Sequence, residues 1–177
     1  MNSTKYVALI RGINVGNTQM SMERLRKLCA SCAFEGVQTY IQSGNVVFSA
    51  ADSAQMCAAK LAARLQRELG KPVGVVVRSG RELAGVAAKN PFLKEKVETA
   101  RLSVAFLVES PKAERVKALA AVDWGRDRFH HIAKELYLYC PDGFGRSKLA
   151  TTFERMLGVG ATVRNWNTVS KLLEMAT

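Results

Sequence analysis

The stretch Val37-Gln-Thr-Tyr-Ile-Gln-Ser-Gly-Asn-Val-Val-Phe-Ser49 holds two short β-prone runs, Val37–Ile41 and Val46–Ser49, around the turn residues Gln42-Ser-Gly-Asn45. It reads as a hairpin. Upstream, Tyr6–Ile10 is a continuously apolar strand, and a glycine-rich loop, Gly12-Ile-Asn-Val-Gly-Asn-Thr-Gln19, leads to a helix capped by Ser21 and ending at Phe34-Glu35-Gly36. Downstream, Asp52 is the expected cap of a second helix from about Ser53 to Leu69, with Leu61, Leu65 and Leu69 on one face and Gly70 just past its end. Val73–Val77 follows as a strand. Ser79-Gly-Arg-Glu82 has capping-box spacing and opens a third helix, which Asn90-Pro91 closes. A hairpin set between two helices, with a strand outside each, gives βαββαβ, the ferredoxin-like order, plus one helix.

The pattern then recurs. Leu102–Val108 reads as a strand, Ser110-Pro111 as the cap and first position of a helix reaching Ala121, and Phe129–Ala133 with Leu136–Cys140 as a tight hairpin. Ser147–Leu157 is helical, Ala161–Arg164 is a strand and Asn167–Met175 a last helix. The expected class is therefore α+β: two ferredoxin-like halves arising by internal duplication, residues 1–92 and 100–177, joined by a linker at 93–99. Val77-Arg78-Ser79 occupies the place that Val163-Arg164-Asn165 occupies in the second half. The leading strands are apolar on both sides. Val7 and Leu9 oppose Tyr6, Ala8 and Ile10, while Val104, Phe106 and Val108 oppose Ala105 and Leu107. Two covered faces predict that the halves pack on one another or that a sheet pairs with a second copy, as a homodimer.

Composition bounds what such a chain does. With 177 residues, 48% hydrophobic and 23% charged, it is a globular protein that needs no metal or disulfide staple. Lys and Arg number 26 against 15 Asp and Glu, a formal charge of +11 that favours anionic company such as nucleic acid, nucleotides or phosphorylated metabolites. Met1–Lys5 carries no targeting signal and no run is apolar enough to cross a membrane, so a cytoplasmic location is expected, with no membrane partner. The four cysteines, Cys29, Cys32, Cys57 and Cys140, are expected to be reduced and buried.

Several motifs, Ala8-Leu-Ile-Arg-Gly-Ile-Asn-Val-Gly16, Thr39–Phe48, Asn90-Pro-Phe92, Ser147-Lys-Leu149 and Thr162–Val169, closely resemble those of a bacterial family known as domain of unknown function 1697. The resemblance implies a two-part α+β structure. It implies no activity. Gly16-Asn17 stands where Gly-Gly is commoner, a small departure because Asn also tolerates left-handed turns.

Ferredoxin-like topology brings the loop after the first strand to the same end as the hairpin, placing Arg11, Asn14 and Asn17 near Gln42, Ser43 and Asn45. These donors, beside a helix amino terminus, form a candidate anion cradle. The competing reading makes Asn14, Ser43 and Asn45 builders of turns. In the second half, Gly143-Phe-Gly-Arg-Ser-Lys148 and Arg164-Asn-Trp-Asn-Thr168 each enter a helix, so Arg146, Lys148, Arg164 and Asn165 make a second candidate cluster. The competing reading makes Ser147 and Asn167 ordinary caps.

Other signals carry less. Cys29-Ala-Ser-Cys32 has redox spacing but ends its helix instead of starting it, and no second pair completes a zinc site. His130 and His131, neighbours on a strand, point to opposite faces. The Gly12–Gly16 loop lacks the third glycine of a dinucleotide fingerprint, no Walker lysine or nucleophile elbow is present, and Tyr6 with Phe48 falls short of an aromatic RNA platform. No cofactor or metal is called for. The leading expectation is an anion-binding module acting through Arg11, Asn14, Ser43, Asn45, Lys148, Arg164 and Asn165. The alternative is an enzyme for a small phosphorylated or nucleotide-like substrate, with Arg11 and Arg164 stabilising charge and His130 or His131 moving a proton.

Overall fold

The computed structural model describes residues 3–177; Met1 and Asn2, the start of the segment read for a targeting signal, lie outside the described residues. The order is β1 (Thr4–Ile10), α1 (Met22–Ala30), β2 (Glu35–Tyr40), β3 (Asn45–Ala50), α2 (Ala54–Leu69), β4 (Val75–Ser79) and α3 (Gly80–Ala88). It continues with β5 (Leu102–Leu107), α4 (Ala113–Ala120), β6 (Arg128–Ile132), β7 (Glu135–Tyr139), α5 (Lys148–Leu157), β8 (Ala161–Asn165) and α6 (Trp166–Ala176). Two antiparallel sheets result, ordered β2-β3-β1-β4 and β6-β7-β5-β8, each with the ferredoxin-like strand order. Compact units comprise Met1–Gly85 with Lys171–Thr177, and Val86–Ser170, so both boundaries fall inside helices, α3 and α6.

The repeat extends to strand register. Val7 pairs with Arg78 across β1 and β4, and Val104 with Arg164 across β5 and β8; one step along, Tyr6 faces Ser79 and Ser103 faces Asn165. Both arginines turn back on the preceding carbonyl, Arg78 Nη1 to Val77 O at 3.2 Å and Arg164 Nη1 to Val163 O at 2.8 Å. The residue after each arginine opens a helix. Ser79 and Glu82 form a reciprocal box, with Glu82 N donating to Ser79 Oγ (3.2 Å) and Ser79 N to Glu82 Oε2 (2.7 Å), and Thr168 N donates to Asn165 Oδ1 (2.8 Å). Asn165, not Asn167, is thus the cap of α6.

In the first unit Tyr6, Ala8, Ile10, Val46 and Phe48 meet Leu25, Leu28 and Cys29 of α1 and Cys57, Leu61 and Leu65 of α2. Phe34 stacks on Phe48 at 4.0 Å, and Tyr6 packs against Phe48 at 5.8 Å, so neither sheet aromatic is free to hold a base. In the second unit Ala105, Leu107, Leu136 and Leu138 meet Leu119, Leu149, Phe153 and Leu157. The opposite faces are also buried: Val7, Leu9, Val47, Val104, Phe106 and Tyr137 are each at most 1% exposed. That is why these strands carry unbroken apolar runs.

Three element ends differ from expectation. α1 stops at Ala30, short of the Phe34-Glu35-Gly36 end that the apolar spacing suggests, because Ala33 takes φ +61° and turns the chain towards β2, which starts at Glu35. Ser53, not Asp52, caps α2, accepting from Met56 N at 3.3 Å; the Asp52 carboxylate pairs with Lys60 and its carbonyl accepts from Tyr6 Oη at 2.9 Å. α4 begins at Ala113, because the chain stays extended through Lys112 after burying Pro111.

Candidate functional site

In the first unit the two loops do meet, and backbone bonds fix them. Ile10 N donates to Gly44 O at 2.8 Å, uniting the end of β1 with the hairpin tip. The intervening loop turns through Gly12, Asn14 and Gly16, all at positive φ. Asn14 then spends its whole amide on the junction. Its Nδ2 donates to Met20 O (2.9 Å) and to Gln42 O (2.7 Å), and its Oδ1 accepts from Met20 N (2.8 Å). Asn45, fully buried, donates to Tyr40 O (3.0 Å) and Ser43 Oγ (2.9 Å). These two asparagines and Ser43 therefore build the turns, as the competing reading had it.

What the turns frame is an open cleft of about 620 Å³ whose lining includes Asn14, Gly16, Gln19, Gln42 and the start of α1 at Ser21 and Arg24. Ser21 caps α1 by accepting from Arg24 N at 3.1 Å, and the Arg24 guanidinium pairs with Glu68. Lys71 reaches the loop from the end of α2 and donates to Thr18 Oγ1. Arg11 lies elsewhere: its N–H donates to Gly74 O (2.9 Å) and its side-chain stem lies alongside Gly74, towards β4. Gln19 and Arg24 escaped sequence reasoning. Neither amide nor guanidinium on a helix approach has a distinguishing spacing, although the Ser21 cap marked the place where such side chains would gather.

The second cluster does not assemble as expected. Register places the starts of α5 and α6 at one end of their sheet, with Tyr139 paired to Leu102 and Asn165 beside Ser103. Ser147 caps α5, accepting from Ala150 N at 2.9 Å, and Arg146 and Lys148 are exposed. Val163, however, packs into the helix-covered core, so strand alternation turns Arg164 to the other face, away from α5 and Lys148. Burial lowers the Arg164 guanidinium to about 10. The Asn165 Oδ1 is taken up as the cap of α6.

The histidines are occupied too. His130 sets its ring edge-on to Phe92 at 4.9 Å, within an aromatic group where the Arg128 guanidinium lies 5.2 Å from both Phe92 and Tyr139 and pairs with Glu95 at 2.7 Å. His131 Nε2 lies 2.8 Å from Ala133 O in the hairpin turn. The Asn90-Pro-Phe92 motif is explained by the same packing: Asn90 Oδ1 accepts from Phe92 N at 3.1 Å and Phe92 is wholly buried.

All four cysteines are free and buried. Burial, helped by neighbouring Cys32, pushes the Cys29 thiol up to about 12, and burial raises Cys32 and Cys57 as well. A reactive dithiol needs the reverse shift. We expect the native chain to resist iodoacetamide at pH 8 while the chain unfolded in urea titrates four thiols; rapid native labelling of Cys29 would contradict the burial. The sign for stability follows. Unfolded thiols ionise from about pH 9, so the Cys29 contribution is complete below that pH and is lost as pH rises towards 12. Among the described residues no group of three or more His, Cys, Asp or Glu is arranged to hold a metal ion, and no helix is long and apolar enough to cross a membrane.

A solved structure, that of the conserved bacterial protein SP0830 from Streptococcus pneumoniae, matches with a TM-score of 0.79 and 22% identity, covering 99% of each chain, and so shares the fold. None of the curated proteins matches the sequence. The family model described as "Protein of unknown function (DUF1697)" matches residues 3–137, taking in the motifs at Ala8–Gly16, Thr39–Phe48 and Asn90–Phe92 but not the two nearest the carboxyl terminus. With a match over most of its length and three of its motifs inside it, the chain belongs to the DUF1697 family.

Proposed function

We propose that the protein is a cytoplasmic anion-binding module whose first unit holds a phosphate-bearing ligand, a nucleotide or a phosphorylated metabolite, in the cleft between the β1 loop, the hairpin tip and the start of α1. One observation carries this reading: the Asn14 amide ties both loops together, so that the exposed Gln19 and Gln42 line one cleft with the first residues of α1. A rigid floor with donors above it suits an anion. Arg24 keeps further N–H groups beside its Glu68 pair. No carboxylate, imidazole or thiol belongs to the cleft's lining, which favours capture over turnover.

Gln42 makes its contribution to the staple through its backbone carbonyl, so its side chain can be removed without loosening the loops. In calorimetric titrations with ATP and with inorganic phosphate, the Gln19→Ala/Gln42→Ala variant is expected to bind at least tenfold more weakly than the parent chain at unchanged melting temperature. Equal affinity in the variant, or no binding of either probe by the parent at millimolar concentration, would overturn the reading.

A further inference from the structure

Three cations lie along one side of α2: Lys60, Arg64 and Arg67, spaced four and three residues apart. The neighbouring side, about 90° round the helix, carries Cys57, Leu61 and Leu65 into the core. Helical rise sets the three about 6 and 4.5 Å apart along the axis, in single file. Lys71 follows just past the left-handed Gly70 that ends the helix. Lys60, Arg67 and Lys71 are exposed and Arg64 is partly so.

What sets this file apart is its spacing: among the described helices, α2 is the one that carries cations at positions i, i+4 and i+7. Some exposed cations elsewhere sit on carboxylates, such as Lys27 on Glu23, Arg24 on Glu68, Arg126 on Asp142, Arg128 on Glu95 and Lys171 on Glu174. On α2 only Lys60 does, through Asp52. Arg64 Nε donates to the Ser31 hydroxyl at 3.1 Å, Lys71 to the Thr18 hydroxyl, and Arg67 makes no ion pair among the described residues. Two guanidiniums, Arg64 and Arg67, thus stand without an ion pair among the described residues on this side of the helix, next to the uncharged Ala63 and Gln66, with Lys71 just past its end.

We infer that this side of α2 is a track for the sugar-phosphate backbone of an RNA strand, bound without regard to sequence. A single file of cations matches a single file of phosphates. A lipid surface would instead call for a basic plane with apolar side chains to insert, and an acidic protein for a polar rim around an apolar centre. The track is distinct from the cleft and stands whether or not the cleft binds nucleotides.

The test is fluorescence anisotropy of the full chain with a labelled 20-nucleotide oligouridylate between 50 and 300 mM KCl. Three to four neutralised phosphates give a slope of log K against log salt of about −2 to −3. Lys60→Gln/Arg64→Gln/Arg67→Gln should bring that slope near −1 and weaken binding at 50 mM at least tenfold, with Arg67→Gln alone, which breaks no contact, shifting the slope by about 0.7. Two controls hold the claim to this surface. Lys112→Gln/Arg115→Gln/Lys117→Gln around α4 removes the same net charge and should leave the slope in place, as should the cleft variant Gln19→Ala/Gln42→Ala. No binding by the parent chain at 50 mM, equal losses in the α4 control, or binding only to phosphatidylserine vesicles would each overturn the assignment.

Discussion

Replacing Gly44 by alanine should cost about 4 kcal/mol of stability, combining a left-handed backbone penalty of about 1–2 with overpacking of about 1–3. Gly44 sits at φ +85°, and an added Cβ would lie 2.9 Å from Ile10 O, 2.9 Å from Ile13 Cγ1 and 3.0 Å from Ile10 Cβ. Two of those neighbours belong to the end of β1, whose Ile10 N–H bonds Gly44 O, so the substitution pushes apart the joint that holds the loops. Gly16 supplies the control. It has φ +58°, yet nothing lies within 4 Å of its added Cβ, so Gly16→Ala should show the backbone penalty alone, about 1–2 kcal/mol. Urea unfolding of both variants reads the difference as separated midpoints. Coincident midpoints would mean that the hairpin tip yields and that close approach does not explain the glycine.

The element order was legible because each half announces itself by local chemistry: apolar runs for buried strands, Ser21 and Ser147 as caps, the Ser79/Glu82 box, and a glycine in the hairpin. The meeting of loop and hairpin followed from topology. The fate of the polar side chains did not, because it depends on partners far along the chain. An asparagine in a turn looks the same whether its amide faces a ligand or, like Asn14, a carbonyl 28 residues away. His130 likewise depends on Phe92, and nothing near either residue advertises the contact. Arg164 is different. The alternation of Val163 with Arg164 on a strand whose helix face is apolar already separates that arginine from Lys148, so the information was present in the residues and the helix starts drew attention from it.

Asn14→Ala is expected to cost about 4 kcal/mol, and its pattern separates a structural asparagine from one kept for a ligand. Three hydrogen bonds disappear, each worth about 1 kcal/mol net, and the alanine must hold φ +56° without the local bonding that makes asparagine tolerant there. Asn14→Gly isolates the bonds, since glycine accepts the backbone angle freely, and should recover about 1 kcal/mol of the loss. The Met20 amide supplies a local readout. Its hydrogen is held by Asn14 Oδ1, so in both variants its exchange should quicken by at least tenfold relative to amides of the β1–β3 ladder. With the staple gone the hairpin tip is no longer held to the loop that lines the cleft, and ATP affinity should fall in both variants even under conditions where each remains folded. Variants that keep parental stability and Met20 protection but lose ATP would place the Asn14 amide on the ligand instead of on the loops.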